Sequence, residues 1–224
     1  MATLYIVATP IGNMSDISLR AISTLKEVNT IICEDTRVTR KLLDRYEISG
    51  KKLIALNDFN EEQSISDIIE ILNTEDAALV SDAGTPLISD PGYKLVREAK
   101  RKNITVTPIP GSSSVIAALS ASGLPTDKFT FLGFLPKSSG KQERLLESFS
   151  NQNHTIIIFE SPHRIIKTMQ TIFKIFGDVS LCAAREITKK FEEINTLPVT
   201  KHLEIYEKKN PKGEFTLIFN PSVK

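Results

Sequence analysis

The chain has 224 residues, 41% of them hydrophobic, with a formal net charge of +1, enough for one large or two small cored domains. Near-neutrality removes any global electrostatic case for nucleic acid or membrane, so a basic surface has to be local. Two cysteines, Cys33 and Cys182, both in apolar runs, exclude a disulfide framework and a multi-cysteine zinc site.

The N-terminal run from Met1 to Val7 is too short for a secretory leader, and no apolar stretch approaches the roughly 20 residues of a membrane helix. A cytoplasmic chain is the expectation. In order, residues 4–8 form a buried strand that breaks at Thr9-Pro-Ile-Gly-Asn, and Asp16 or Ser18 caps a helix over 19–28. A strand over 30–33 ends in Glu34-Asp-Thr-Arg and feeds a basic helix over 38–46. A strand over 52–56, a helix over 63–72 and a strand over 77–80 follow. That strand stops at Ser81-Asp-Ala-Gly-Thr-Pro, and a helix begins at Tyr93. A fifth strand, 104–108, leads through Pro110-Gly-Ser-Ser-Ser to a helix over 115–120. Alternation of strand and helix predicts a parallel sheet covered on both faces.

The texture changes after Gly123-Leu-Pro-Thr-Asp-Lys. Strands are expected over 129–135, 155–159, 179–184 and 214–219, with helices over 142–149, over 165–175 and around Leu203. The reading is an α/β chain of two domains, 1–118 and 119–224.

Polar or Gly/Pro loops close five of these strands, the fifth being Glu160-Ser-Pro-His-Arg. Parallel strands bring the first four loops to one sheet edge, where α/β proteins bind ligands, and the fifth is expected to close over them from the second domain. No G-x-G-x-x-G, G-x-x-x-x-G-K-[ST] or G-x-S-x-G occurs, and His154, His163 and His202 fit no common metal spacing. A neutral edge of small residues suits a ligand that is not a polyphosphate. An ordinary strand-to-helix turn uses the same residue types.

Five segments, Val7-Ala-Thr-Pro-Ile-Gly-Asn, Cys33-Glu-Asp-Thr-Arg-Val-Thr-Arg-Lys-Leu-Leu, Ser81 through Gly92, Glu160-Ser-Pro-His-Arg and Ala184-Arg-Glu-Ile-Thr-Lys-Lys-Phe-Glu-Glu, closely resemble the small-subunit ribosomal RNA methyltransferases of the tetrapyrrole methylase superfamily. The resemblance runs the whole chain in one order, departing at Pro110-Gly-Ser-Ser-Ser, where the family more often has Pro-Gly-Pro-Ser. It implies the two-domain tetrapyrrole methylase-like fold, S-adenosylmethionine as donor between the domains, a homodimer, no metal, and 2′-O-methylation of a cytidine ribose in the decoding region of 16S rRNA. It further implies donor contacts from Pro10, Ala83, Gly84, Thr85, Ile88, Ser112 and Ser113, with Phe159, Ala184 and Glu214 from the second domain. Thr85 stands where relatives carry Asp, and Asp82 is expected to supply that charge.

Ribose methylation needs an in-line oxygen, a route for its proton and exclusion of water. Proton acceptors near strand ends are Glu34, Asp35, Glu160 and Glu186, with Lys189 or Lys190 able to stabilise an alkoxide; Arg185, Glu186 and Lys189 are the favoured set. Arg37, Arg40 and Lys41 share a helical face suited to RNA phosphates, and His163 and Arg164 with Lys167, and Lys137 with Lys141 and Arg144, give two more basic clusters. A salt-bridge cluster or dimer contact is the alternative for Glu34, Asp35 and Arg37, and a solvated helix face for the basic clusters. Methylation of a tetrapyrrole ring carbon and a non-catalytic ribosome-assembly role stand as the competing functions.

Overall fold

The computed structural model describes residues 2–56, 61–209 and 211–223. It divides into two compact units, Met1–Ser113 and Ser114–Lys224. A boundary at 118/119 would cut helix α5 (Ser114–Ala121), which packs against a strand of the second unit.

The first unit runs β1 (Thr3–Val7), α1 (Leu19–Glu27), β2 (Thr30–Cys33), α2 (Thr36–Arg45), β3 (Lys52–Ala55), α3 (Glu61–Leu72), β4 (Ala77–Val80), α4 (Tyr93–Arg101) and β5 (Thr105–Ile109). A 3-10 turn at Met14–Asp16 precedes α1, whose cap is Ser18, its hydroxyl accepting from Ala21 N–H at 3.0 Å. The strands form one parallel sheet in the order β3-β2-β4-β1-β5. Right-handed crossovers to one side must put α1 and α2 on one face, and those returning must put α3 and α4 on the other. The core follows that rule. Val7, Ile31, Cys33, Ala78 and Val80 pack with Ala21, Leu25 and Leu43, whereas Leu4, Ile32, Ala77 and Leu79 pack with Ile68, Leu72, Leu95 and Ala99. Strand residues alternate between the clusters because successive side chains leave a strand on opposite faces.

The second unit adds β6 (Phe129–Phe134), α6 (Ser139–Glu147), β7 (Thr155–Glu160), α7 (Ile165–Phe176), β8 (Ser180–Arg185), β9 (Glu193–Pro198), α8 (Val199–Lys208) and β10 (Phe215–Phe219). Its sheet has the order β6-β7-β10-β8-β9, with β6 and β7 parallel and the other pairs antiparallel. Strand β9 was not expected. It is an edge strand and mostly exposed, so it lacks the apolar run that marks a buried one. One sheet face buries Ile156, Ile158, Leu217 and Phe219 against Met169 and Ile172 of α7 and Val199 of α8.

Among the described residues no helix is long and apolar enough to cross a membrane, and no group of His, Cys, Asp or Glu is placed to hold a metal ion.

Candidate active site

The carboxyl ends of β1, β2, β4 and β5 deliver their loops to one edge of the first sheet, and hydrogen bonds knit those loops together. Strands β1 and β4 are neighbours whose crossovers leave on opposite faces, the arrangement that opens a ligand crevice in α/β sheets. There Thr9 N–H donates to Gly84 O at 2.9 Å and Gly84 N–H donates to Thr9 O at 3.0 Å. Thr85 Oγ1 donates to Ser112 O at 3.1 Å, and Ser112 Oγ to Asp16 O at 3.2 Å. Asp35 N–H donates to Asp82 Oδ1 at 3.1 Å, joining the β2 and β4 loops. Pro10 and Gly84 are buried, Thr85, Ser112 and Ser113 half-buried, and Asp82, Ala83 and Ile88 exposed.

A cavity of about 40 Å³ sits at this edge, its lining including Thr9, Pro10, Thr39, Ser81 and Asp82. Thr39 Oγ1, on the buried face of α2, makes no close geometric hydrogen bond among the described residues and lies against the Cys33 thiol, whose charged form it favours against the effect of burial. The Cys33 thiol points to Ile54 O at 3.7 Å. Sequence reasoning passed over Thr39 because it lies between Val38 and Arg40 in a stretch read for its charges. A larger, shallow depression of about 390 Å³, between β9 and α8, is lined by Glu193, Asn195, Glu204 and Lys208, away from these loops in sequence and chemistry.

The carboxylates of the edge behave differently from one another. Asp35 caps α2 by accepting from Arg37 N–H at 2.8 Å and pairs with the Arg37 guanidinium at 2.6 Å, which holds its carboxyl down at about 2. Arg37 therefore takes part in the ion pair that was the alternative reading of this cluster, while Arg40 and Lys41 are exposed. Partial desolvation of its carboxyl by neighbouring loops, despite an exposed residue surface, pushes Asp82 up, opposed by its bond to Asp35 N–H and reinforced by the Asp35 charge. Asp90 is also pushed up, by burial first and by the charge of Asp82, against a hydrogen bond from Ser81. Two carboxyls that are hard to ionise beside each other favour a cation as neighbour.

In the second unit Glu186 and Lys189 are brought together. Glu186 Oε1 accepts from Lys189 Nζ at 3.0 Å and from Glu214 N–H at 2.9 Å, and Lys189 Nζ reaches Glu214 Oε2 at 2.7 Å. The bond from Glu214 N–H is the main cause that holds Glu186 below its usual range, and its two carboxylate partners outweigh burial to raise Lys189. Glu186 itself has φ +50, and its carboxyl lies over Gly213, where a Cβ would fall 2.6 Å from Glu186 Cδ. Arg185 donates through Nε to Lys212 O at 2.5 Å and lies 3.5 Å from Glu193. Ala184 is buried within β8, Phe159 is half-buried and Glu214 is exposed.

The Glu160-Ser-Pro-His-Arg loop is a clamp. Glu160 is fully buried, accepting from Thr168 Oγ1 at 2.5 Å and Ser161 N–H at 2.8 Å, with Arg164 Nε 3.5 Å away. Arg164 Nη2 donates to Leu135 O at 3.0 Å and Pro136 O at 3.1 Å. Its guanidinium is thus engaged inside the unit, and of the pair expected to meet RNA only His163 is exposed.

Residues 3–201 match the family described as Tetrapyrrole (Corrin/Porphyrin) Methylases. The chain belongs to this methylase family. Curated relatives named Ribosomal RNA small subunit methyltransferase I include one from Thermotoga maritima, 44% identical over 98% of this chain and 99% of the relative. Another, from Vibrio cholerae, is 47% identical over 96% of this chain and 76% of the relative. The fold is shared with a diphthine synthase structure, at TM-score 0.73 and 15% identity, covering 98% of this chain and 90% of that one. It is also shared with Thermus thermophilus uroporphyrin-III C-methyl transferase complexed with S-adenyl homocysteine, at TM-score 0.67 and 16% identity, covering 98% and 97%. The sequence resemblance and its α/β fold therefore stand.

Gly213→Ala is expected to evict the Glu186 carboxyl, since both the φ of +92 and the close approach forbid a side chain there. Carboxyl-carbon NMR should show Glu186 titrating nearer its ordinary value; an unmoved titration would contradict the packing described.

Proposed function

We propose that this protein transfers a methyl group from S-adenosylmethionine to the 2′-oxygen of a cytidine ribose in the decoding region of 16S rRNA, working as a homodimer on the small ribosomal subunit. The observation that carries the reading is the near-full-length match to relatives named for small-subunit ribosomal RNA methylation. The competing tetrapyrrole reading draws only on the breadth of the family name and on neighbours too distant in sequence to speak beyond fold.

The residues at the first sheet's edge fit the donor. It carries no phosphate and bears positive charge, and the edge is built of small neutral residues with carboxyls at Asp82 and Asp90 pushed above their usual range. Pro10, Asp82, Ala83, Gly84, Thr85, Ile88, Ser112 and Ser113 of the first unit would hold it. When bound, the donor supplies an electrophilic methyl on a sulfonium. Preorganisation is the protein's contribution on this side: the loops are already bonded to each other and need little ordering on binding.

Around the acceptor, Lys189 stays protonated between Glu186 and Glu214 and is suited to stabilise a developing alkoxide. Glu186, held low by its donors, is a weak base and serves to orient Lys189. Arg185 secures the same turn through Lys212 O. Arg40 and Lys41, exposed on α2, meet phosphates, with Arg37 beside them.

Labelled S-adenosylmethionine incubated with small subunits and free 16S rRNA should place the label on one cytidine 2′-oxygen; label in a tetrapyrrole, or none, would overturn the reading. Arg40→Glu should lower methylation at sub-saturating RNA by about ten-fold and leave donor affinity unchanged. Donor affinity should also fall on acidification. Asp82 and Asp90 retain their protons to higher pH when folded, a cationic donor favours their ionised forms, and binding therefore releases protons across that window. Calorimetry in buffers of different ionisation enthalpy should detect this release, and Asp82→Asn should reduce it; an identical pH profile in that variant would contradict the assignment.

A further inference from the structure

Strand β6 holds an irregularity outside the loops of the first sheet's edge. Its register against β7 is Phe131 opposite Ile157 and then Phe134 opposite Phe159, so three steps on one strand match two on the other. That is a bulge, and Gly133 at φ +63 accommodates it. Its consequence is geometric. Residues an odd number apart on a regular strand face opposite ways. The extra residue instead puts Phe131, Phe134 and Phe159 on one face, with edge-on ring contacts of 4.8 Å between Phe131 and Phe159 and 5.6 Å between Phe134 and Phe159. Phe134 is nevertheless 59% exposed. A large aromatic ring turned out to water by a built-in kink, and braced by a second ring beneath it, is a surface feature that burial does not account for.

The surroundings carry positive charge. Arg164 bonds the carbonyls of Leu135 and Pro136, the two residues after Phe134, and so fixes the chain between Phe134 and Lys137. Its own neighbour His163 is exposed, as are Lys137 and Lys141. Glu160, the carboxylate of this loop, is buried and bonded, and Glu143 of α6 pairs with Lys174 at 3.0 Å. Lysines and a hydrogen-bonding imidazole near an exposed, rigid aromatic face are elements with which proteins grip unpaired RNA, the ring stacking a base and the polar side chains meeting phosphates.

We propose that Phe134 is a stacking platform for an unpaired base of the RNA substrate, held at a fixed height by the Glu160–Arg164 clamp and flanked by Lys137 and His163 for the adjoining phosphates. The proposal rests on the reading of the protein as an RNA methyltransferase and adds a substrate contact to it. Arg164 is then a positioning residue, and the Phe-rich strand is part of the RNA surface.

The test compares wild type, Phe134→Ala and Phe134→Trp in full-length protein. Methylation of small subunits should show KM for the subunit rising about ten-fold in Phe134→Ala, with kcat and donor affinity little changed, and staying within about two-fold of wild type in Phe134→Trp. A single-stranded RNA oligomer carrying 2-aminopurine should lose fluorescence on binding wild type and keep it with Phe134→Ala. Unchanged KM and quenching in Phe134→Ala would overturn the platform. So would a drop in donor affinity, which would make the ring part of the donor site, or a change in sedimentation, which would make it a contact between copies. If wild type methylates no RNA yet quenches the oligomer through Phe134, the platform stands and the proposed reaction falls.

Discussion

Two backbone hydrogen bonds between Thr9 and Gly84 hold the edge of the first sheet in working order. They lie where β1 and β4 run side by side and their crossovers part to opposite faces. Loops that must stay open to a ligand cannot be held by burial alone. Backbone pairing does it with no side chain in the way, and the remaining bonds, Asp35 to Asp82 and Thr85 to Ser112, extend the same bracing across the edge. Asp82 and Asp90 take part in this bracing and still keep carboxyls pushed above their usual range, which leaves the edge receptive to a cation.

The second unit solves a different problem. It must present charged and aromatic groups at fixed positions from a mostly antiparallel sheet. It does so with local departures from regular backbone, at Gly133 in β6 and at Glu186 over Gly213 after β8. Each departure is bolted down nearby: the first by Arg164 on the carbonyls of Leu135 and Pro136, the second by Lys189 between two carboxylates. Gly133 adopts its positive φ freely, whereas that of Glu186 is strained and persists because surrounding bonds over-determine it.

Much of this was legible from residue order. Strands β2 and β4 and helix α4 begin and end where apolar runs and turn residues place them, because parallel strands buried on both faces read as unbroken apolar stretches. The convergence of four loops followed from parallel pairing alone. Edge strand β9 was not legible, since its half-exposed residues carry little periodic signal. Nor was the bulge, because one extra residue in Phe-Thr-Phe-Leu-Gly-Phe changes which way Phe134 faces without changing composition. Arg164 read in sequence as a contact for RNA, and only the structure reveals that two carbonyls already engage it, whereas the Arg37–Asp35 pair was among the readings that the sequence offered.

The proposed donor platform at the first sheet's edge is assembled before the donor arrives, and backbone amide NMR with S-adenosylhomocysteine added tests this most directly. The Thr9 and Gly84 amides should already be protected from exchange in the free protein, and the largest shift changes in the first unit should cluster in the loops after β1, β2, β4 and β5. Rapid exchange of those two amides, or shift changes centred at the opposite edge of the sheet, would contradict it.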